Sequence, residues 1–590
     1  MTFVYPRPQM VRDEFTMLDG PWRFIHDPDD IGVTERWFDP HAEFTNTIIV
    51  PNPPESPASG ISQDVTGPIW YRRDFDHRPQ DGGRLLLHFE GVDHLASVWV
   101  NSTHVGDHEG SQSRFTVDIT DAVRPGTNTL VVRAIDSVTD LEQPRGKQDW
   151  LPAPHVIWYR RTSGIWRSVW LEPVPPVRID RLNLQSGPTL GSVDVEARIY
   201  GLPDAQAILE VELRLAERLL CRAQFECVSG TVAASLRLDH ESIETQPEDL
   251  WWSPESPTLL DVVARLRVGT TTVDRVRSYV GLRTVGIDGS NVLLNNRPYF
   301  LRLVLEQGYW PESHLASPSI DALETEARLI KELGFNGIRM HQTSADPRFL
   351  ACCDRLGLVV LADTAAAYRF SDIALRRQTD ELMAMIGRDA SHPCVIAWVL
   401  FNESWGVPDL QTRPEQRQAV MALTALAKAL DPTRIVLGND GWEYVAGDVI
   451  GVHDYTQDPR QLDARYGTAD AARHTVRTRR PGTRPLMLPG NDDAAECLPI
   501  LLSEFGGISA HNTDDAWEAY GDVIATEELA SRVGQLVAAV SEGSGLAGFC
   551  YTQLTDTAQE KNGLLTETRQ PKCPLDTLRD AIRANRPDQV

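Results

Sequence analysis

Apolar and polar positions alternate with period two from Trp22 to about Pro175. The alternation comes in short runs separated by Gly, Pro, Asn and Asp: WYRRDF at 70–75, GRLLLHFEGV at 83–92, ASVWVN at 96–101 and FTVDI at 115–119. Such runs predict strands with one face toward water, and their regular recurrence predicts an all-β sandwich. The turn Pro125-Gly126-Thr127-Asn128 leads into a further run, TLVVRAID, as its residue types favour. Past the proline-rich joint EPVPPV at 172–177 the alternation resumes. Val193, Val195, Ala197 and Ile199 interleave with Asp194, Glu196 and Arg198, and Leu209, Val211, Leu213 and Leu215 with Glu210, Glu212 and Arg214. This second sandwich ends near Arg283 and has the size of an immunoglobulin-like domain, ~100 residues.

From Val285 the pattern changes to apolar runs alternating with helical stretches, the signature of parallel βα units. Eight runs qualify as strands: YFLRLVLE, FNGIRMH, LVVLADT, VIAWVLFNE, RIVLGND, DVIGVHDY, PILLSEFG and LAGFCYTQ. That number fits a (β/α)8 TIM barrel. Between them Leu529, Val533, Leu536, Val537 and Val540 follow helical spacing, as do Leu323, Ala327 and Ile330, with Gly334 placed to end that helix. Residues 457–497, rich in Arg, Gly, Pro and Asp, are expected to form a long loop after the sixth strand.

Charge then removes whole classes of partner. Of 590 residues, 57 are Lys or Arg and 83 are Asp or Glu, a formal charge of −26. Such a chain has no field to attract nucleic acid, and an anionic bilayer would repel it. Eight cysteines without paired CxxC spacing make neither a disulfide scaffold nor a zinc site; Cys352 and Cys353 fall on an expected helix. The N-terminal stretch MTFVYPRPQMVRDEF lacks a signal-peptide core and no apolar run reaches membrane-spanning length, so a soluble cytoplasmic protein is expected, with no membrane partner. No phosphate-binding loop or metal cluster stands out, and no cofactor or metal is expected. Two formal glycosylation sequons, at Asn101 and Asn402, are read as accidental.

In a barrel the chemistry sits at the C-terminal strand ends. Two strongly apolar runs end there in a carboxylate, Glu403 in VIAWVLFNESWG and Glu504 in LPILLSEFGG, closing the fourth and seventh strands. Such a pair suits cleavage of a glycosidic bond, which needs a proton donor and a group to trap an oxocarbenium-like carbon.

An ordered set of motifs carries a resemblance: RTSGIWRSVWLE (161–172), LWWSPESPTLL (250–260), LLNNRPYFLRLVLEQGYWP, GFNGIRMHQ, WVLFNESWG, LLSEFGG and YTQLTDTAQEKNGL. Together they resemble glycoside hydrolase family 2, which includes β-galactosidases, β-glucuronidases and β-mannosidases. The resemblance spans nearly the whole chain. It implies a jelly-roll sugar-binding-like domain at 1–176, an immunoglobulin-like sandwich at 177–284 and a catalytic barrel at 285–590, a multidomain β plus α/β fold. It also implies retaining exo-hydrolysis of a terminal β-linked sugar, with Glu403 as acid/base, carrying a raised pKa, and Glu504 as nucleophile. Asn402 matches the family residue that bonds the sugar 2-hydroxyl, and Tyr455 is expected to bond Glu504. Further expected substrate contacts are Arg339 and His341 (second strand), His453 (sixth), Glu306 and Gln307 (first), Asp363 (third) and Gln553 (eighth), with Trp405 and Trp310 as apolar walls. Arg339 is equally suited to bracing a carboxylate.

Where glucuronidases of the family carry Asn-x-Lys, this chain reads Glu560-Lys561-Asn562. Glu560 repels a sugar carboxylate while Lys561 remains a candidate to reach it. VLEQGYW after the first strand lacks a His-rich segment, and ADTAAAYRF after the third has Asp363 and alanines where relatives carry Glu-Met-Pro. The leading expectation is a β-galactosidase-like enzyme, with β-glucuronidase or another family specificity as alternative, and transglycosylation left open. A carbohydrate-binding protein on a degenerate scaffold is the alternative from outside the enzymes. The β domains are expected to brace the barrel and to lend loops to the site or to a homo-oligomer interface.

Overall fold

The computed structural model describes residues 5–79, 82–188, 190–202, 206–239, 247–510, 520–521 and 523–585. The first alternating segment pairs into two antiparallel sheets. One has six strands in the order Asn46–Val50, Gly20–His26, Ile69–His77, Gly126–Ile135, Leu95–Val100 and Thr103–Glu109; the other has Thr16–Met17, Val169–Val174, Arg84–Phe89 and Phe115–Asp118. Their inward residues, among them Trp22, Phe24, Tyr71, Leu87, Val98 and Val132, form one buried core. In the second segment Arg178–Ser186, Ser192–Tyr200 and Thr231–Arg237 make one sheet. Arg218–Glu226, Ala207–Leu215, Leu260–Val268 and Thr271–Val280 make the other. Val193, Val195, Leu209, Val211 and Leu213 lie in the core between them, on the apolar face of each alternation.

All eight expected barrel strands are present: β1 (Leu301–Glu306), β2 (Gly337–Met340), β3 (Val359–Asp363), β4 (Val395–Val399), β5 (Ile435–Leu437), β6 (Ile450–Asp454), β7 (Ile500–Gly506) and β8 (Gly548–Thr552). They form one sheet in the order β5-β4-β3-β2-β1-β8-β7-β6, every ladder parallel. No ladder joins β5 to β6 among the described residues, so the barrel is nearly closed. β4 is buried along its whole length, which explains why it reads as an unbroken apolar run. The chain thus combines a jelly-roll sandwich, an immunoglobulin-like sandwich and a C-terminal (β/α)8 barrel. Among the described residues no helix is long and apolar enough to cross a membrane.

One expectation fails. Residues 457–497 are not a loop but carry three helices, α1 (Pro459–Tyr466), α2 (Ala469–Thr478) and α3 (Asp492–Cys497). The local chemistry is legible afterwards: the Asp458 side chain accepts from Arg460 N with Pro459 at the first helical position, and Thr468 accepts from Ala471 N. Side chains at these positions satisfy backbone donors that a helix start leaves free.

The connection between Ile135 and Gly164 of the first sandwich crosses to the barrel rim. There Arg145 N and Gly146 N both donate to Ala366 O at 3.0 Å, and Tyr368 Oη donates to Gly146 O at 2.5 Å. Trp158 Nε1 donates to Tyr368 Oη at 2.7 Å, and its ring meets those of Tyr368 and Trp405 edge-on.

Candidate active site

Glu504 lies near the C-terminal end of β7 in register with His453 of β6, so parallel pairing alone brings these side chains to one level of the mouth. Glu403 follows β4 and is held by its backbone, with its N–H on Asp440 O at 2.9 Å. Both Glu403 and Ser404 take left-handed backbone (φ 51° and 60°), a conformation that costs a non-glycine residue of order 1 kcal/mol. Ser404 fixes it, with N donating to Asn439 Oδ1 at 3.0 Å and Oγ to Glu443 Oε2 at 2.6 Å.

Beneath the carboxylates lies Arg339, fully enclosed. Its Nε faces both oxygens of Asp363 at 3.2 and 3.0 Å, its Nη1 reaches Asp440 Oδ2 at 2.6 Å and Glu504 Oε1 at 3.0 Å, and its Nη2 donates to Asn402 Oδ1 at 2.8 Å. Burial opposes the charge of this guanidinium, but the carboxylates of Asp363, Asp440 and Glu504 outweigh it and hold the pKa well above the ordinary value. Because Asn402 Oδ1 must accept from Arg339, its Nδ2 is turned away and has no protein acceptor among the described residues. Tyr455 Oη donates to Glu504 Oε2 at 2.5 Å, and its ring stacks on Tyr520 with centroids 3.6 Å apart.

His453 connects the two sides. Its Nδ1 lies 2.8 Å from Glu403 Oε1, and its Nε2 lies 3.0 Å from Asp440 Oδ2 and 3.4 Å from Glu504 Oε1. Burial disfavours the imidazolium, yet Glu504, Asp440 and Glu403 overcome it and raise the pKa to about 10, so both ring nitrogens donate at neutral pH. Glu403 responds in kind. Burial pushes its carboxyl up, but the hydrogen bond and charge of His453, with Lys147 and Arg339 beyond, hold it below its ordinary value. The raised Glu403 expected from the resemblance is therefore not found: His453 holds its carboxyl below the ordinary value. His341 is the opposite case. Burial, together with Arg339, drives its pKa well down, and neutral Nδ1 donates to Asp363 Oδ2 at 3.1 Å.

Several expected sugar contacts are spent inside the protein. Arg339 is wholly consumed as a brace, and Asp363, pushed up to about 6 by burial against the pull of Arg339, is part of the same brace. Glu306 belongs to a different cluster. It shares Arg569 with Glu326, at 3.5 Å and 2.8 Å respectively, and its pKa rises to about 8 through burial and the charge of Glu326. Gln307 and Gln553 bond each other at 2.9 Å, and Gln553 continues to Asn562 Oδ1 at 2.7 Å. Lys561 pairs with Glu567 at 2.6 Å, and the Trp310 ring is covered by the Arg569 guanidinium at 3.5 Å. Trp405 stays half-buried on the rim beside Trp158 and Tyr368.

The structure adds residues that the sequence did not single out for the site. Asp440, at the end of the short β5 region, carries both Arg339 and His453; its signal was a strand-end carboxylate in RIVLGND. Lys147 and Tyr159 come from the first sandwich, and Tyr159 Oη donates to Glu560. Among the described residues two groups of side chains converge closely enough to hold a metal ion. Asp354, His392 and Cys394 are one, in which the Asp354 carboxylate accepts from His392 Nδ1, from the Cys394 backbone N–H and from Tyr279 Oη. Glu403, His453 and Glu504 are the other, with one atom from each lying within 4.8 Å of the others.

Two acidic side chains at this separation, buried in the C-terminal mouth of a (β/α)8 barrel, are the equipment of a glycoside hydrolase. The comparisons agree with that class. A family model described as "Glycosyl hydrolases family 2, sugar binding domain" matches residues 15–175, and one described as "Glycosyl hydrolases family 2, TIM barrel domain" matches residues 285–529. The chain belongs to glycoside hydrolase family 2. It is 29% identical over 349 residues to a β-galactosidase of Thermoanaerobacter pseudethanolicus, a match covering 57% of this chain and only 44% of that enzyme. It is 27% identical over 491 residues to a β-glucuronidase of Rattus norvegicus, covering 75% and 72% respectively. Among solved structures, a β-galacturonidase from Eisenbergiella tayi superposes with a TM-score of 0.74 at 21% identity, covering 99% of this chain and 98% of that one. A β-glucuronidase from Ruminococcus gnavus gives 0.75 at 19%, covering 98% and 99%. At these identities the structures speak to the fold.

Proposed function

We propose that the chain is a retaining exo-β-glycosidase in which Glu504 is the nucleophile and Glu403 the acid/base. The observation that carries this reading is the closeness of the two carboxylates, with oxygens within 4.8 Å. Direct attack on the anomeric carbon needs carboxyl groups ~5–5.5 Å apart, whereas an inverting enzyme leaves room for a water at ~6.5–9.5 Å. Arg339 and Tyr455 fix Glu504 in one orientation, which serves in-line attack. Glu504 displaces the leaving group as Glu403 gives a proton to the glycosidic oxygen; water, deprotonated by Glu403, then releases the sugar. The amide nitrogen of Asn402, left free because Oδ1 accepts from Arg339, supports a role in donating to a sugar 2-hydroxyl. The exo reading is supported by the connection from the first sandwich, which walls one side of the mouth.

Among the relatives one, matched over only 44% of its length, is named a β-galactosidase, and the larger number, such as those of Rattus norvegicus and Canis lupus familiaris, are named β-glucuronidases. The pairing of Lys561 with Glu567 weighs against a β-glucuronide, which leaves a β-galactoside as the first substrate. A panel of nitrophenyl β-glycosides tests the activity. Glu504→Gln should abolish turnover, and a 2-deoxy-2-fluoro glycoside should label Glu504 in the intact protein. Glu403→Ala should lower kcat by ~10²–10⁴ on substrates that need acid assistance, with azide restoring turnover as a β-glycosyl azide. Full activity in Glu504→Gln defeats the mechanism.

A further inference from the structure

Two charged groups in the mouth are left incompletely satisfied. Lys147 is 7% exposed, yet among the described residues its ammonium has neither a hydrogen bond nor an ion pair. An ammonium carries three donors, and a buried cation without acceptors is costly. Its place is set rather than incidental. Gly146 on one side is tied to Ala366 and Tyr368, Tyr159 N donates to Lys147 O at 2.8 Å, and Nζ stands 5.6 Å from the centroid of the Tyr159 ring. The same Tyr159 donates its hydroxyl to Glu560 Oε2, which leaves Oε1 without a protein donor among the described residues. Glu560 belongs to the barrel and is itself buried. The charge of Lys147 is felt at Glu403, Glu560 and His341, and Glu560 in turn feels Glu504 and Glu403, so both groups lie within electrostatic reach of the carboxylate pair.

We propose that Lys147 and Glu560, brought together from two domains, grip a pair of neighbouring hydroxyls on a neutral terminal sugar, the ammonium donating to one oxygen and the carboxylate accepting from the other. The inference rests on the glycosidase reading above and adds the kind of sugar. An anionic sugar fits poorly: carboxyl groups outnumber cations in the mouth, Arg339 is fully committed to Asp363, Asp440 and Glu504, and Lys561 is held by Glu567. A hydroxyl pair, by contrast, meets one free donor group and one free acceptor oxygen without adding charge.

Steady-state kinetics on nitrophenyl β-glycosides test this, comparing neutral hexosides with β-glucuronide and β-galacturonide, and parent hexoside with its 3-deoxy and 4-deoxy forms. The wild type should favour a neutral hexoside over both uronides by at least ~10²-fold in kcat/KM. Lys147→Met and Glu560→Gln should each cost ~10–100-fold on that hexoside, the scale of a hydrogen bond to a charged group. Labelling of Glu504 by the fluoro sugar and an unchanged melting temperature guard against misfolding. One deoxy substrate should cost the wild type as much as the Lys147→Met substitution does and cost the variant nothing more. Preference for a uronide that disappears in Lys147→Met overturns the proposal, because the ammonium then takes a carboxylate. So do deoxy and Lys147→Met losses that simply add. Those outcomes leave Glu504 labelled and the hydrolase reading standing, whereas no turnover and no label on any sugar removes both.

Discussion

At the scale of single residues, His453 changes how the site should titrate. The imidazolium bridges Glu403 and Asp440 and approaches Glu504, so on the proposed mechanism a proton lies one hydrogen bond away from the acid/base. Substrate that separates His453 from the carboxylates, or screens them, lets the proton pass to Glu403. His453 has a folded value of about 10 against an ordinary 6.5. The stability it contributes is therefore complete below pH ~6.5 and fades as pH rises to about 10. Activity on a glycoside that needs acid assistance should persist into the alkaline range in the wild type. In His453→Asn the basic limb should move down, because Glu403 then holds the proton alone; a pH profile of kcat/KM that does not change refutes this. None of it was legible in DVIGVHDY. The sequence placed His453 at the rim beside its neighbours, but a proton's location depends on which carboxylates arrive within 3.4 Å, and those come from the ends of β4, β5 and β7. The placement of Glu403 and Glu504 at the barrel mouth was legible, since a charged residue at the end of a buried apolar strand stands out in the sequence.

Among elements, the spacing of β6 against the β5 region is set by a glycine. A Cβ on Gly451 would lie 1.5 Å from Asp440 Oδ1, so any side chain there expels the carboxylate that carries Arg339 and His453. Gly451→Ala should lose ~1–3 kcal/mol or more of stability through overpacking and nearly all activity. Gly286→Ala, with no atom within 4 Å of the new methyl, should do neither; equal behaviour of the two variants in denaturant and in assay contradicts the account. Helix capping is more modest. Thr468→Ala at the start of α2 should cost ~1 kcal/mol in urea unfolding and leave kcat unchanged, since α2 only packs outside the barrel. The sandwiches and the barrel strands were readable because alternation and unbroken apolar runs record how many faces of a strand are buried. The helices of 457–497 were not, because α1 and α3 are short and polar, and the signal lies in the caps at Asp458 and Thr468 rather than in an apolar stripe.

For the whole molecule, stability and activity should respond to pH through different groups. Glu306 and Glu326 share Arg569 under the barrel rim, and Glu306 keeps its proton to about pH 8 where an unfolded chain would lose it near 4.5. A raised carboxyl binds more protons folded than unfolded, so stability falls as pH climbs from about 5 to 8. Glu306→Gln should flatten that slope and raise the melting temperature at pH 8; a lower melting temperature at every pH would falsify it. The division of labour between domains was the least readable feature, because neither PRGKQDW nor HVIWYRR announces that its residues cross to another fold unit. It has a mechanical consequence. Glu403 and Glu504 are both fastened to the barrel, but Lys147 is carried on a strap whose hold depends on Ala366, Tyr368 and Trp158. Warming or cosolvent that loosens the strap should lower kcat/KM on the preferred sugar and narrow its lead over other sugars at temperatures where the barrel is still folded and Glu504 still takes the fluoro-sugar label, so fidelity should melt before the barrel does.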